Sequence, residues 1–142
     1  CDIAVSLDNI KLALTEAKLG LIPATISPYV ILKVGSINAI DMFTSARTFS
    51  PQEGQKIGLI KSFTTSDKID DTITNEILPF LKNAPDALSA SKKLVRNLSV
   101  KIDENTIRFT VEALAEVWEN PEAIEGINAF FEKRKPNWLM DK

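Results

Sequence analysis

The chain has 142 residues, a net charge of −2 and no histidine, and 44% of its residues are hydrophobic. This length suits a domain with its own hydrophobic core, the charge gives no electrostatic reason to expect nucleic-acid binding, and no apolar run approaches the ~18 residues of a membrane helix. Without histidine, no Ser-His-Asp or Cys-His group can form from this chain alone, no metal site is expected, and acid–base chemistry would fall to Asp, Glu, Lys or Tyr.

The first section of the chain has the alternating pattern of β-strands. Residues 1–7 and 10–15 are predicted as two strands joined by Asp8-Asn9, a turn-forming pair. Because side chains on a strand alternate between its two faces, Glu16 would continue the apolar face of the second strand. A carboxylate on a buried face is costly without a partner. Glu16 therefore either lies beyond a misplaced strand end or is kept for chemistry.

Signals for helix starts and ends follow. Ser27-Pro28 predicts an N-cap and a first helical turn, Gly35 predicts the end of that helix, and Ser36 predicts the start of another short one. Ser50-Pro-Gln-Glu53 is a capping box that opens a further helix. Residues 59–63 are then predicted as a strand.

From about residue 66 the pattern is helical throughout. Three stretches carry apolar side chains at helical spacing, and Asn120-Pro121 caps a fourth helix. The Thr64-Thr65-Ser66 cluster is the best candidate boundary, which divides the chain into a mixed region, 1–65, and a helical region, 66–142. Helices with strong apolar stripes and short loops need a surface to pack on, either one another or a second subunit.

Four ordered segments give the chain a resemblance to a known family. Together they resemble the crotonase family of acyl-CoA enzymes, which includes the enoyl-CoA hydratases. The resemblance implies an α/β fold, in which the C-terminal part of a crotonase-type ββα superhelix, 1–65, is followed by a helical trimerisation region, 66–142. The segments are CDIAVSLDNIKLALTEAKLGLIPATISPYVILKVG (1–35), Thr44–Ser50, Glu53 with Ile57–Ile60, and Glu125–Trp138.

The resemblance also implies that the chain is the C-terminal half of a longer enzyme. It opens at Cys1, without methionine, directly in a strand-like run. The missing half would carry the upstream catalytic carboxylate, the oxyanion-hole amides and most contacts to coenzyme A. The isolated chain is therefore expected to be inactive.

Three residues receive roles from the resemblance. Glu16 matches the second catalytic carboxylate of the hydratases. Phe130 and Lys133 match positions where an aromatic ring and an ammonium group reach a coenzyme A bound by a neighbouring subunit. The simpler interpretations are a Glu16–Lys18 surface pair at a frayed strand end, a core phenylalanine, and a solvated helix end.

The implied reaction is the addition of water across the 2,3 double bond of an acyl-CoA thioester. No separate cofactor is expected, because coenzyme A is part of the substrate. The segment LIPATISPYV, residues 21–30, departs from the glycine run of many members. It is similar to bacterial hydratases that act on branched or carboxylated substrates, such as methylglutaconyl-CoA in leucine degradation, and it equally resembles geranoyl-type relatives. The alternatives are enoyl-CoA delta isomerisation or, for the isolated chain, a non-catalytic assembly module.

The expected partners are the acyl-CoA substrate and further copies of the chain. The resemblance implies a homo-oligomer, either a trimer or a dimer of trimers, with no nucleic-acid or membrane partner. A single cysteine, Cys1, cannot form an internal disulfide, which fits a reducing cytoplasm.

Overall fold

The computed structural model describes residues 1–140, which contain two short strands and six α-helices. Three short 3-10 turns stand between or after them. The run of four helices after residue 66 confirms the predicted helical character of that region. In chain order the elements are β1 (Val5–Leu7), the 3-10 turn Glu16–Leu19, α1 (Ser27–Ser45), α2 (Pro51–Lys56), β2 (Ser62–Thr64), the 3-10 turn Ser66–Lys68, α3 (Ile69–Leu81), α4 (Pro85–Leu98), α5 (Glu104–Trp118), α6 (Pro121–Phe131) and the 3-10 turn Asn137–Leu139.

The chain forms two compact units, each built from two separated stretches. One unit contains Cys1–Leu12 and Phe49–Lys101, and the other contains Ala13–Thr48 and the chain from Ile102 onward. Each unit contains residues from both sides of the predicted boundary at residue 65. That boundary marks a change in secondary structure and does not separate the two compact units. The assignment of 1–65 to a crotonase core and of 66–142 to oligomerisation stays a prediction.

The first unit contains a small parallel sheet. β1 pairs with β2 in register, and backbone hydrogen bonds continue the pairing by one residue at each end. The predicted strand 1–7 is therefore real but confined to Val5–Leu7, and the turn at Asp8-Asn9 is confirmed. The predicted strand 59–63 is displaced toward Ser62–Thr64, since the residues before it close the end of α2.

The predicted strand 10–15 is wrong. Within it, Leu12 forms an isolated antiparallel bridge with Phe49, with N···O distances of 3.0 and 2.9 Å. Thr15 then leaves the extended region, with φ −108° and ψ 7°, and the chain enters the 3-10 turn that begins at Glu16. Glu16 is thus positioned by a turn and not by the face of a strand.

The second unit begins with a helix that is bent in the middle. Gly35 has φ 77° and ψ 161°, a conformation essentially restricted to glycine, and this confirms the predicted helix end there and the restart at Ser36. The predicted N-cap at Ser27 is wrong. Ile26 is the N-cap, and the Ser27 hydroxyl donates a hydrogen bond to the carbonyl of Ala24 at 2.8 Å.

Small side chains dominate the buried part of the second unit, which lets backbone segments approach closely. By contrast, α3 and α4 of the first unit contain no buried residue among those described. No helix in the described part of the chain combines the length and apolarity needed to cross a membrane. The buried residues of the second unit include Ala24, Val30, Val34, Ala39, Met42, Ala46, Ala123 and Ala129.

Candidate active site

Glu16 opens a rigid four-residue turn, Glu16–Leu19, referred to below as the Glu16 turn. The turn ends at Gly20, which is left-handed with φ 69°. The backbone N–H of Leu21 donates to the carbonyl of Glu16 at 3.1 Å, so the chain is closed on itself around the carboxylate-bearing residue. Hydrogen bonds therefore restrain the backbone that carries the Glu16 side chain.

Two glycines allow the Glu16 turn to contact α6 backbone to backbone. A Cβ atom on Gly20 would lie 2.5 Å from the carbonyl oxygen of Glu122, and one on Gly126 would overlap the carbonyl of Leu19. Real Cβ atoms do not approach backbone atoms so closely, and no flexible side chain could move aside. The position of the Glu16 turn is therefore set directly by α6.

The carboxylate of Glu16 is half-buried, and its Oε2 atom is shielded from solvent without a hydrogen-bond partner in residues 1–140. Leaving a buried polar atom unsatisfied costs about 1–3 kcal/mol, and more for a charged group. The predicted alternative, a Glu16–Lys18 ion pair, is not formed within the same residues. A shielded and unpartnered oxygen is what an acid–base group needs in order to meet a substrate proton.

Phe130 and Lys133 lie at the C-terminal end of α6, the same helix that holds the Glu16 turn. The side chain of Phe130 is 65% exposed, and its ring meets Phe131 edge to face with centroids 5.6 Å apart. Phe130 is therefore not part of the core that residues 1–140 form. Lys133 is also exposed. The Glu16 turn thus packs against α6, Phe130 lies in the last turn of that helix, and Lys133 follows its end.

Lys133 occupies a strained backbone position. The end of α6 is a Schellman motif, in which the N–H of Lys133 donates to the carbonyl of Phe130 at 3.3 Å and the N–H of Arg134 donates to that of Ala129 at 3.0 Å. The motif requires a left-handed residue, usually glycine, and here Lys133 fills it with φ 53°. This costs about 1–2 kcal/mol for a residue with a side chain. Such strain is concentrated at functional positions.

An ion pair ties the chain after Lys133 back to α6. The two carboxylate oxygens of Glu125 accept hydrogen bonds from Arg134 Nη1 and Nη2 at 2.6 and 2.8 Å, and Oε1 also accepts the backbone N–H of Asn137 at 2.9 Å. Arg134 Nε donates to Glu132 at 2.6 Å. The bonds from Arg134 outweigh the effect of burial and lower the pKa of Glu125 from 4.5 to about 2, and the pKa of Arg134 is raised.

Comparison with known proteins decides the family. A family model described as enoyl-CoA hydratase/isomerase matches residues 1–141. The chain belongs to this family. The resemblance found in the sequence is thereby confirmed at the level of the family, and the structure is the C-terminal part of a crotonase fold, as predicted.

Individual relatives of this enoyl-CoA hydratase/isomerase chain agree with the family match. The crystal structure of an enoyl-CoA hydratase from Mycobacterium avium is 33% identical, with a TM-score of 0.84 over 98% of this chain and 55% of that chain. A protein of Thermus thermophilus, provisionally named an enoyl-CoA hydratase, is 31% identical over 138 residues, or 97% of this chain. A carnitinyl-CoA dehydratase of Escherichia coli is 28% identical over 144 residues. The chain spans about half the length of the curated relatives it matches, 54% in each of these two.

Sequence reasoning missed two features of this family member. Gly126 was visible as a lone glycine inside a helical pattern, a signal that often marks close packing, but no partner could be assigned to it. The bond between Glu125 and Arg134 joins residues nine positions apart across a helix end, where the i, i+4 rule does not apply. Both features depend on how the chain folds back on α6.

Proposed function

We propose that the protein containing this chain is an enoyl-CoA hydratase, which adds water across the 2,3 double bond of an acyl-CoA thioester. The observation that supports this most directly is the shielded, unpartnered Oε2 of Glu16 on a rigid turn. In a chain without histidine, carboxylates are the natural groups for removing and returning protons near neutral pH. The family match supplies the substrate class.

The proposed reaction divides between Glu16 and groups outside this chain. Water loses a proton to a carboxylate as its oxygen bonds to C3, and a proton is delivered to C2 of the resulting thioester enolate. The enolate oxygen needs fixed hydrogen-bond donors. Glu16 performs one of the two proton transfers. The second carboxylate and the oxyanion donors would come from the half of the relatives' length that this chain does not span, so the isolated chain is expected to lack activity.

Phe130 and Lys133 are the proposed contacts to coenzyme A. The ammonium group of Lys133 can meet a phosphate as a compact point charge. The exposed ring of Phe130 can pack on an apolar or aromatic part of the coenzyme. Their exposure at the end of α6 and the strained backbone of Lys133 support a binding role over a purely structural one. Coenzyme A is part of the substrate, and no separate cofactor is proposed.

The proposal extends to the acyl group, the assembly and the location. Residues 21–30 are similar to hydratases of branched or carboxylated substrates, which makes methylglutaconyl-CoA the first substrate to compare with crotonyl-CoA. A homo-oligomer, a trimer or a dimer of trimers, would cover the exposed apolar side chains of α3 and α4 and would let Phe130 and Lys133 reach a neighbour's coenzyme. The proposed location is the cytoplasm.

Double-bond isomerisation is the second candidate. Isomerisation needs a single acid–base carboxylate, which Glu16 supplies in this alternative, so the residue in the half of the relatives' length that this chain does not span distinguishes the two reactions. The family description includes both reactions. Incubation with 2-enoyl-CoA and 3-enoyl-CoA, followed by product analysis, separates a hydroxyacyl product from a shifted double bond.

The test of Glu16 uses the full-length protein that contains this chain. Hydration of crotonyl-CoA is followed by the loss of enoyl absorbance. We expect turnover by the parent protein, and a loss of kcat of ~10²-fold or more in Glu16→Gln, because an amide cannot transfer the proton.

Two controls make the result interpretable. Glu116→Gln changes an exposed carboxylate on α5 and should leave kcat unchanged. The isolated 142-residue chain should show no hydration above background. Equal activity of the Glu16→Gln and Glu116→Gln variants, each shown to be folded by circular dichroism, would rule out the acid–base role.

A further inference from the structure

We propose that Arg134 is a positioning residue for coenzyme A binding: its ion pair with Glu125 holds Lys133 in the left-handed conformation that presents the ammonium group to a phosphate of the coenzyme. This inference rests on the proposed role of Lys133 and adds a second residue to it. Arg134 itself contacts no substrate in this proposal. It acts through the backbone of its neighbour.

The first support is that Arg134 is attached to α6 in two independent ways. Its guanidinium forms a two-point pair with Glu125, a residue inside the helix, at 2.6 and 2.8 Å. Its backbone N–H donates to the carbonyl of Ala129 at 3.0 Å. Side chain and backbone are thus both fixed relative to α6. Because Lys133 lies between the helix end and this anchored residue, its backbone angles are fixed as well.

The second support is that Glu125 also holds the chain on the far side of Lys133. Its Oε1 atom accepts the backbone N–H of Asn137 at 2.9 Å. The segment that contains Lys133 therefore leaves α6 and is bound back to one carboxylate at two later points. The side chains of Glu125 and Arg134 are only 20% and 33% exposed, so water and salt screen this pair less than an ordinary surface pair.

The third support is that the backbone of Lys133 is unfavourable without such a restraint. A lysine does not adopt φ 53° readily, because its Cβ crowds the following carbonyl oxygen. If the ion pair were lost, we expect Lys133 to relax toward negative φ, which would move its ammonium group. The planar fork of an arginine gives the two-point geometry, which a lysine at position 134 could not reproduce.

The unfavourable backbone of Lys133 also distinguishes a positioning role of Arg134 from simple stabilisation of the helix end. A pair that only stabilised the helix end would be removed without changing the direction of the Lys133 side chain. A positioning pair must change both the backbone of Lys133 and the affinity for the coenzyme. The test therefore measures both the backbone conformation of Lys133 and the dissociation constant for coenzyme A.

The experiment measures coenzyme A binding by isothermal titration calorimetry on the full-length protein that contains this chain. The variants are Lys133→Ala, Arg134→Gln and the double variant, with Lys135→Gln as a control that removes one exposed positive charge from the same tail. We expect Lys133→Ala and Arg134→Gln each to weaken binding ~10-fold, the size of one charge-assisted contact. The double variant should bind no more weakly than Lys133→Ala alone, and the control should change affinity less than twofold.

A second readout reports the backbone directly. Crystal structures of the parent and the variants give the φ of Lys133, which should be left-handed in the parent and in Lys135→Gln and negative in Arg134→Gln. If Arg134→Gln does not fold, Arg134→Lys replaces it; it keeps the charge but not the fork, and it should also weaken binding.

Each outcome bears on a different claim. If Lys133→Ala binds coenzyme A as tightly as the parent, the proposed role of Lys133 fails, and the positioning role fails with it. If Lys133→Ala weakens binding but the Arg134 variant does not, the positioning role alone is overturned. Losses that add in the double variant would also overturn it, because they would mean that Arg134 acts independently of Lys133.

Discussion

Glu125 keeps its negative charge far into acid because Arg134 donates two hydrogen bonds to it. These bonds lower its pKa to about 2, whereas its partial burial acts in the opposite direction. A carboxyl group whose pKa is lower in the folded than in the unfolded state stabilises the fold above its unfolded pKa. That contribution is lost as the pH falls from about 4.5 toward 2.

A pH series tests this at the level of the residue. At neutral pH, Glu125→Gln should lower the melting temperature, because Arg134 loses a charged partner in a partly buried place. The difference between the variant and the parent should shrink as the pH is lowered from about 4.5 toward 2. Thermal melts followed by circular dichroism measure it. Glu116→Gln, on an exposed carboxylate, serves as the control; a Glu125→Gln difference that stays constant with pH would contradict the pKa assignment.

At the level of elements, α1 shows a glycine that is required by its backbone and not by its surroundings. Gly35 has φ 77° and ψ 161°, yet a Cβ atom added there would meet nothing within 4 Å. Packing therefore sets no limit at this position. Any penalty for a side chain must come from the conformation itself, which is in a region that other residues rarely occupy.

The backbone conformation of Gly35 leads to a prediction for its substitution. Gly35→Ala should destabilise the chain by about 1–3 kcal/mol, even though the space is open and alanine is the better helix former. Urea unfolding measures the change. Ser36, the next residue, is exposed and has regular helical backbone angles. Ser36→Ala should therefore leave the free energy of unfolding nearly unchanged. If Gly35→Ala were more stable than the parent, the bend in α1 would not be a property of the native chain.

Two elements show how the sequence distance between contacting residues affected the predictions. Asn120 was predicted as a helix cap, and its side chain accepts the N–H of Glu122 at 3.1 Å, because such a cap involves residues two positions apart. The strand 10–15 was wrong because its pairing depends on Phe49, far along the chain, and involves Leu12 alone.

The candidate site was predictable only in part for the same reason. Alternation singled out Glu16, and the shielding of its Oε2 agrees with that selection, although the supporting element is a turn. The left-handed backbone of Lys133 could not be predicted, since glycine is the residue that normally signals it.

At the level of the whole molecule, the first unit leaves large apolar side chains in contact with solvent. Leu81 at the end of α3 is 73% exposed, and Leu98 at the end of α4 is 80% exposed. Neither helix has a buried residue among those described. Exposed apolar surface of this extent usually marks an interaction surface. Either a further copy of the chain or the half of the relatives' length that this chain does not span would cover it.

Self-association is therefore expected of the purified chain. Size-exclusion chromatography with light scattering should give a mass well above that of one chain. Leu94→Gln combined with Leu98→Gln should shift the population toward monomer, because both leucines are exposed on α4. Asn97→Gln on the same helix should not. A monomer at all accessible concentrations would show that further copies of this chain do not cover these leucines.

The backbone contact of the Glu16 turn with α6 has a consequence for attempts to redesign this protein. Where two segments meet through side chains, a substitution can be absorbed by repacking. At Gly20 and Gly126 there are no side chains to rearrange, so even one added methyl group would act as a wedge. Such a wedge would displace the turn that carries Glu16. Sequence changes in this protein should therefore leave these two positions untouched.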